Sequence, residues 1–525
     1  ERFQWKYLTP SYMGKDKYGN DKRFFYSQPI KFSARYVRIT SQQIGLKMNE
    51  AIFQDANGDR IPATVIAQLN VMEESTLYSD ANNILDEQDT LEGLPSWWNS
   101  TYFDEIYHAR TAYEHLHGTA PYETSHPPLG KVIMSLGIAI FGMVPFGWRV
   151  MGALAGILML PAMYLLGKQL TKKSSFAFAA ALMLALDCQH FTQTRIATID
   201  SYPVLFILFS WLFMLRFMQR DIVRLPVKKL LPDLALSGLF MGLGIASKWI
   251  GVYSGAGLAV AFFWTIFRHM RMAATSAHLL KTDKSLSDED RKILTLRDQT
   301  TMKRVLVICL WCLLFFVAIP LAIYLLAYIP YFAYAHFDNL KDYLTAVWNA
   351  QLSMFSYHSK PGLGMDHPFY SPWYEWLFNQ RPMYYASPTY VNTPGWSYAI
   401  WCFGNPAIWS AALVGFAYTV FMWAKRHRYT LRKDGETLHW TAADWDVTMP
   451  FLLLSALSQF LPWVLVPRGT YIYHYFATTP FLMLSITVLF RDITRRFPKT
   501  GKWLLGIFLG VCLVMFLSLI HISEP

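Results

Sequence analysis

Charge is scarce in this sequence: only 16% of its 525 residues are charged, whereas 53% are hydrophobic. Its mean hydropathy is positive, which a water-soluble chain of this size rarely shows. The chain also lacks a G-x-x-x-x-G-K-[ST] loop and a dinucleotide-binding fingerprint, so nucleotide hydrolysis has no support. The composition predicts a polytopic α-helical membrane protein.

Cysteine is also sparse, and no disulfide framework is expected. All five cysteines lie in or beside apolar runs, and the C-x-x-C of Cys309 and Cys312 is best interpreted as two small apolar residues one helical turn apart. The formal charge of +11 comes from basic residues in short clusters between apolar runs. That arrangement is typical of cytoplasmic loops, so we attribute the charge to membrane topology and expect no nucleic-acid partner.

Residues 1–98 differ from the rest of the chain. The runs "ARYVRIT" and "EAIFQDANGDRIPATVIA" are β-rich, and the second is broken by a turn at "ANGD", which predicts a hairpin in a small extracytoplasmic β-sandwich. The "ARYVRI" run followed by a D-x-x-G turn resembles the last strands of discoidin-like carbohydrate-binding modules. This piece could bind glycan, recruit acceptors or only pack against the outer loop.

From residue 148 onward apolar runs alternate with charged loops, which predicts a transmembrane core over residues 148–525. Ten candidate spans lie at about 148–168, 175–191, 203–219, 234–249, 251–268, 305–329, 398–423, 449–466, 474–490 and 503–520. Every second connection is basic and is therefore assigned to the cytoplasm. The other side receives residues 1–147, 192–202, 330–397 and 467–473. An extracytoplasmic N-terminal segment without its own signal needs an upstream helix, so we expect eleven spans in the full chain.

The stretch "TYFDEIYHARTAYEHLHGTAPYETSHPPLGK", residues 101–131, is the richest in polar groups on the outer side. A helix over residues 102–117 would place Asp104 and His108 one turn apart, with Glu105 on a neighbouring face. The run 127–144 is short for a span and predicts a helix lying in the membrane interface. Residues 99–147 therefore form a first extracytoplasmic loop that holds a carboxylate pair at the membrane surface.

Further outer-side polar residues occur at the edges of apolar runs. They are Arg149, Arg195, Asp200, Lys248, Arg468, Tyr473 and His474. Each alone could be an interfacial anchor or part of a structural ion pair, and Arg195 could simply pair with Asp200. Because four cations converge on one face opposite a carboxylate pair, we predict a site for a lipid-linked phosphate, with a carboxylate that activates an acceptor hydroxyl.

A metal site is the alternative for the first loop. Asp104, Glu105, His108, His115, His117 and His126 are clustered there, but they match no recognised zinc spacing and supply few oxygen ligands for a hard cation. We therefore expect no metal and no other cofactor.

Six motifs together resemble the protein O-mannosyltransferases, particularly the bacterial members. They are "FDEIYH", "HPPLGK", "PFGWR", "TQTRIATIDSYP", "ASKWIGVYS" and "PRGTYIYHYF", and they occur in this order across residues 100–520. The resemblance implies a GT-C type membrane glycosyltransferase with eleven helices. It also implies inverting transfer of mannose from polyprenyl-phosphate-mannose to Ser or Thr of acceptor proteins at the extracytoplasmic face, in a bacterial plasma membrane.

The same resemblance implies roles for individual residues. Asp104 matches the catalytic aspartate and would deprotonate the acceptor hydroxyl, and Glu105 would help to hold the acceptor peptide. Arg149 matches an arginine of the lipid-phosphate region. The other residues expected to bind the donor are Lys131, Arg195, Asp200, Lys248, Arg468 and His474, and those expected to contact acceptor or sugar are His108, His126 and Tyr473.

Three other classes remain open at this point. A related transferase acting on a glycan or lipid, similar to the aminoarabinose transferases, shares the aspartate-bearing loop, but its motif resembles "KPPL" rather than "HPPL". A transporter would have symmetry-related halves and carboxylates near mid-membrane, and the sequence has no internal repeat. A purely structural anchor leaves the cations and carboxylates unexplained. The outer loop 330–397 is too short for the β-trefoil module of the eukaryotic members.

Overall fold

The structure is a computed structural model that describes residues 34–38, 51–55, 57, 59–67, 81–86, 101–386, 399–425, 431–434, 437–440 and 447–523. The chain divides into two compact units. One consists of Glu1–Ser100 with Tyr390–Asn392, and the other of Thr101–Thr389 with Thr393–Pro525.

The described part of the first unit contains the predicted turn. Gln54 and Arg60 form an isolated antiparallel bridge. Between them the Asp55 carboxylate accepts hydrogen bonds from the backbone amides of Asn57 at 2.8 Å and Asp59 at 2.9 Å. This is an aspartate-stabilised turn at the place where the sequence predicts one, and the hairpin itself stays a prediction. Most of the remaining predicted β-sandwich lies outside the described residues.

The second unit is helical. Its α-helices are α1 (Glu105–Leu116), α2 (Leu129–Phe141), α3 (Pro145–Thr171), α4 (Ser174–Ala185), α5 (Cys188–Arg195), α6 (Ser201–Met218), α7 (Leu231–Ser247), α8 (Ile250–Thr282), α9 (Asp288–Leu313), α10 (Ile319–Tyr331), α11 (Leu340–His358), α12 (Trp373–Trp376), α13 (Pro406–Lys425), α14 (Thr448–Phe460), α15 (Thr479–Arg496) and α16 (Pro498–Ser523). The π-helical turn Leu314–Ala318 joins α9 to α10, and 3₁₀ turns occupy Val227–Lys229, Leu461–Leu465 and Ile472–Ala477.

Short strands accompany the helices. β1 (Met383–Ala386) pairs antiparallel with β2 (Ile400–Cys402), and β3 (Leu431–Asp434) pairs antiparallel with β4 (Thr437–Trp440). Two of the predicted ranges therefore need correction. The outer loop 330–397 contains α11, α12 and β1, and residues 400–402 at the start of the predicted span 398–423 form β2 instead of helix.

Every predicted span overlaps a helix, and the interfacial run 127–144 contains α2. In the described residues, seven helices are long and apolar enough to cross a membrane, whereas α2, α4 and α7 are apolar but shorter. The chain is a multi-pass membrane protein. The exact count of ten spans, or eleven in the full chain, stays a prediction. The five cysteines are free, as expected.

Local signals fix several helix ends. Pro145 occupies the first turn of α3, where no amide donor is needed, and the helix stops at Lys172 in a left-handed conformation with φ of 60°. The side chains of Asp187, Ser287 and Asn339 accept backbone amides at the starts of α5, α9 and α11. Such caps satisfy donors that a helix leaves unpaired.

Glycine allows the closest helix approaches in the core. A Cβ on Gly238 of α7 would lie 2.1 Å from the Phe315 carbonyl oxygen in the π-helical turn, so that carbonyl packs directly on the α7 backbone.

The fully buried Trp211 of α6 packs edge-on against Phe451 of α14 and Phe481 of α15, at 5.7 and 6.0 Å between ring centroids. The N-terminal and C-terminal helices therefore share one core.

Several helix ends meet at one face. α3 starts close to the loop before α1, α6 starts at Asp200, and α7 ends at Lys248. The opposite ends of these helices carry the basic residues Lys168, Arg216 and Lys229. Polar groups of the first face and the basic loops thus lie at opposite ends of the same helices.

Candidate active site

The site begins at a strained turn before α1. Phe103 has a φ of +54°, a left-handed conformation that non-glycine residues rarely adopt and that is enriched at functional sites. Its ring packs 4.5 Å from Tyr385 and 6.3 Å from Tyr473. Because aromatic packing holds Phe103 there, the next residue, Asp104, is presented at the start of α1. The helix begins at Glu105, later than the predicted residue 102.

The Glu105 carboxylate is fully buried and fully engaged. Arg149 donates two hydrogen bonds to it, each 2.7 Å, and the backbone amides of Ala197 and Tyr102 donate at 2.9 and 3.2 Å. This is a bidentate pair of the kind that fixes geometry as well as charge. Glu105 therefore ties α1 to α3 and to the loop before α6, and Arg149 already has an anionic partner.

Asp104 is the opposite case. Its carboxylate makes no hydrogen bond or ion pair with any residue that the structure describes, although its backbone carbonyl accepts from Tyr107 and His108. Burial raises the pKa of Asp104 to about 7, in spite of the lowering effect of Lys248 and with Asp200 and Glu123 adding to the rise. A carboxyl group with this pKa exchanges a proton readily near neutral pH, as a general base must.

Lys248 and Asp200 form a buried ion pair beside Asp104. The Lys248 ammonium lies 2.6 Å from the Asp200 carboxylate, and it lies 5.9 Å from the centre of the Tyr473 ring. The alternative pairing of Asp200 with Arg195 does not occur. The Arg195 guanidinium lies 3.9 Å above the ring of Phe191.

Lys131 and Glu123 form a second buried pair. Lys131 is fully buried and donates to the Glu123 carboxylate, to the Glu123 carbonyl at 3.0 Å and to the His126 carbonyl at 3.4 Å. Burial alone would raise the pKa of Glu123, but Lys131, His126 and His108 outweigh it and hold that pKa well below its ordinary value. The ammonium of Lys131 is thus enclosed by the preceding loop, which supplies Glu123 and the carbonyl of His126.

Arg468 differs from the paired cations Arg149, Lys131 and Lys248. In the part of the chain that the structure describes, it makes no ion pair, and its guanidinium donates one long hydrogen bond, 3.4 Å, to the Gly469 carbonyl. Its side chain is partly exposed. Burial and then the charge of Arg468 lower the pKa of His358, and the same charge opposes the rise that burial causes in the pKa of Tyr471, so Arg468 lies on the same side as the rest of the site.

Histidines line the site. The ring of His126 stacks 6.3 Å from that of His108 and 5.1 Å from that of His358. Burial lowers the pKa of His108 and of His358 to about 4 and that of His126 well below its ordinary value, so all three rings are neutral at pH 7.

The "YIYHYF" motif builds a wall of the site. His474 is buried, accepts the backbone amide of Tyr471 at 3.0 Å, and packs 4.4 Å from both Trp463 and Tyr473. His474 therefore shapes the turn that presents Tyr473. The hydroxyl of Tyr473 titrates above its ordinary pKa because of burial first and then of the charges on Asp104 and Asp200.

The structure thus brings together most predicted site residues from five separate segments. Sequence reasoning missed Glu123 and His358 as individual members. Glu123 lies in the quoted stretch "PYETSHPPLGK", so an acid eight residues before a buried lysine was an available signal. His358 comes from the outer loop 330–397, in the run "YHSKPGLGMDHPFYSPWYEW", whose Trp, Tyr and His residues suit sugar or peptide contact without singling out His358. Among the described residues, no group of three or more His, Cys, Asp and Glu side chains could hold a metal ion.

Apolar helices that join a carboxylate-and-cation site at one end to basic loops at the other fit the expected membrane glycosyltransferase of the GT-C type. Two family models match the chain: "Dolichyl-phosphate-mannose-protein mannosyltransferase" over residues 140–340, and "C-terminal four TMM region of protein-O-mannosyltransferase" over residues 343–523. The chain belongs to the protein O-mannosyltransferase family.

Relatives and a solved structure agree with this family. The chain is 25% identical over 447 residues to a polyprenol-phosphate-mannose–protein mannosyltransferase of Mycolicibacterium smegmatis, covering 76% of this chain and 78% of the relative. It is 25% identical over 459 residues to the Mycobacterium tuberculosis protein of that name, covering 78% and 80%. The Saccharomyces cerevisiae protein O-mannosyltransferase Pmt1-Pmt2 complex bound to the sugar donor matches with a TM-score of 0.63 at 13% identity, covering 83% of this chain and 88% of that chain. That last match concerns the fold.

Proposed function

We propose that this membrane enzyme transfers mannose from polyprenyl-phosphate-mannose to Ser or Thr hydroxyls of acceptor proteins, with Asp104 as the general base. The observation that carries the role of Asp104 is its unpaired carboxylate, next to a Glu105 whose hydrogen-bonding capacity is filled. The family, and the substrates named for its mycobacterial members, support the donor and the acceptor class.

The reaction needs one proton acceptor and one stabilised leaving group. Asp104 takes the proton from the acceptor hydroxyl while that oxygen bonds to the anomeric carbon of mannose. The bond between this carbon and the phosphate oxygen breaks, and polyprenyl phosphate leaves with an added negative charge. Attack from the side opposite the phosphate inverts the anomeric centre.

Cations next to the leaving phosphate stabilise the charge that develops there. Arg468 is the strongest candidate because, within the described residues, no carboxylate neutralises it. Lys248 lies near Asp104 but shares its charge with Asp200. A phosphate approaching Lys248 would compete with Asp200 for its charge, whereas no described carboxylate competes for Arg468.

Glu105 and Arg149 receive a different role from the one expected. Their bidentate pair, together with the amide of Ala197, fixes the turn that presents Asp104. We assign both as positioning residues. Lys131 has a similar function beneath the loop at residues 119–128, because Glu123 and two backbone carbonyls enclose its ammonium.

The site faces the extracytoplasmic side of the membrane in this proposal. The basic residues at the far ends of α3, α6 and α7 mark the cytoplasmic side under the positive-inside rule. Metal independence is part of the same proposal, because the base and the leaving-group cations are all supplied by side chains.

The test is transfer of radiolabelled mannose from polyprenyl-phosphate-mannose to a Ser/Thr-rich peptide by the full chain in lipid nanodiscs. Wild type should transfer label. Asp104→Asn should lose about 10²- to 10⁴-fold in kcat, the range that a general base contributes. Asp338→Asn is the matched control, because Asp338 is an exposed acid before α11.

The outcomes separate the two parts of the proposal. A folded wild type that labels no peptide would remove the protein acceptor and point to a glycan or lipid acceptor. Normal transfer by Asp104→Asn would remove Asp104 as the base and leave the reaction class intact.

A further inference from the structure

Helix α11 has three distinct faces. At about 100° per residue, Val347 and Met354 lie on one face, and both are buried. A second face is apolar and exposed, and it is formed by Leu340, Leu344, Trp348, Leu352 and Phe355. A third face is polar and exposed, and it includes Asn349 and Ser356. A helix whose second face contacted only water would carry polar residues there. A large exposed apolar surface instead marks an interaction site.

The buried face lies across α10. Tyr343 donates to the Leu325 carbonyl at 2.5 Å, Gln351 exchanges hydrogen bonds with Tyr324 and Tyr328, and the Tyr328 hydroxyl lies 3.9 Å from the Met354 sulfur. These contacts span about 16 Å of α11 but only about 6 Å of α10. The two helices therefore cross steeply. Because α10 ends a candidate membrane span, α11 runs close to the membrane plane.

The exposed apolar face of α11 continues a surface that already faces lipid. Leu321, Leu326 and Ile329 of α10 are each more than half exposed, in the candidate span with the highest hydropathy. Leu, Trp and Phe on one face with polar residues opposite is the pattern of a helix lying in a bilayer interface, where Trp is enriched. Continuity with α10 favours lipid over a protein partner.

The C-terminal end of α11 reaches the site. A ring nitrogen of His358 lies 2.7 Å from the Ser125 carbonyl oxygen. The same ring stacks on His126 at 5.1 Å and lies 5.9 Å from the ring of Trp249, the neighbour of Lys248. His358 thus links α11 to the site loop, residues 119–128.

We propose that α11 is a membrane-surface helix: its exposed apolar face lies in the leaflet next to the site, and His358 at its end is a positioning residue for the site loop. Location and contact are independent of the reaction. Only the expected effect on transfer rests on the proposed function.

The location is tested by spin labelling the full chain in nanodiscs. A spin label on Trp348→Cys reports on the apolar face. A label on Asn349→Cys, one residue away, reports on the polar face. Leu326→Cys on α10 is the lipid-facing reference, and signal from the native cysteines is measured in the unsubstituted chain. Collisions with oxygen, which concentrates in lipid, are compared with collisions with a water-soluble nickel chelate.

The expected result is high oxygen and low nickel accessibility at position 348, as at 326, with the reverse at 349. High nickel accessibility at 348 would place the face in water and overturn the proposal. Low accessibility to both reagents would mean that a protein surface covers it, which also overturns the proposal.

The positioning role is tested by amide hydrogen exchange. His358→Ala should speed exchange in the site loop by about three- to tenfold, the effect of losing one hydrogen bond. His358→Gln should restore slow exchange, because its amide N–H can donate to the Ser125 carbonyl. Ser356→Ala, on the polar face, is the control. Unchanged exchange in His358→Ala, or equal acceleration in Ser356→Ala, would overturn the role of His358.

In transfer assays, which rest on the proposed function, His358→Ala should lower kcat severalfold, and His358→Gln should recover most of it. An inactive wild type would refute the proposed function while leaving the exchange result informative.

Discussion

Two groups of charges share the site face but differ in how they are satisfied. The first group is paired: Glu105 with Arg149, Glu123 with Lys131, and Asp200 with Lys248. The second group consists of Asp104 and Arg468, which make no ion pair within the described residues. The paired group holds helices and loops together, whereas the second group can respond to a substrate.

The difference is sharpest between two adjacent residues. Asp104 and Glu105 carry the same functional group, yet among the described residues Glu105 accepts four hydrogen bonds and Asp104 accepts none through its side chain. Burial without partners raises a carboxyl pKa, and burial with cationic partners does not have to. In the proposed mechanism, Asp104 can accept a proton because no described residue occupies its carboxylate.

The largest expected effect comes from breaking a paired charge. Glu105→Gln should lower the free energy of unfolding by about 3–5 kcal/mol, because it breaks a buried bidentate ion pair with Arg149. Asp104→Asn should leave the free energy of unfolding unchanged or raise it, because it removes a partly buried carboxyl group that has no partner. Thermal unfolding of both variants in nanodiscs checks the contrast. Equal decreases in the free energy of unfolding would mean that the paired Glu105 and the unpaired Asp104 contribute alike to stability.

A smaller effect is expected at the unpaired cation. Arg468→Gln should reduce kcat/KM for the lipid donor by about 10- to 150-fold, which corresponds to the 1.5–3 kcal/mol typical of a hydrogen bond to a charged group. Arg381→Gln serves as the control, because Arg381 is an exposed arginine that pairs with Glu375. If both variants keep the wild-type kcat/KM, Arg468 does not contact the phosphate.

The pH dependence of kcat/KM tests how the neighbouring paired charges act on the unpaired Asp104. The active form is the carboxylate, so kcat/KM should fall about tenfold per pH unit below the pKa near 7 and level off above it. Lys248→Met should move the midpoint to higher pH, because Lys248 lowers the pKa of Asp104. Asp200→Asn should move it to lower pH, because Asp200 raises that pKa. Shifts in the reverse directions would contradict this electrostatic assignment.

The smallest effect is expected from metal removal. Dialysis of the nanodisc enzyme against EDTA should change transfer by less than about twofold, because side chains supply both the base and the cations. Readdition of Mg²⁺ or Mn²⁺ should likewise change little. A large loss that one of these ions restores would show that a metal takes part.

Much of the helical framework followed from the sequence, because apolar runs and basic clusters report membrane spans directly. The helix α11 did not. Residues 340–358 contain no apolar run long enough for a span, and they lie within the predicted outer loop 330–397. Only the contacts of Tyr343 and Gln351 with α10 reveal it as a packed helix.

The sequence by itself determined the class of the protein, the family, and which segments carry the candidate site residues, because residue order and spacing survive in motifs such as "FDEIYH" and "HPPLGK". Tertiary structure alone decided which charge neutralises which. Asp200 pairs with Lys248 from 48 positions away rather than with the nearby Arg195, and Glu105 pairs with Arg149 from 44 positions away. The physical reason is that ion pairing depends on distances across the fold. Separation along the chain does not contain those distances.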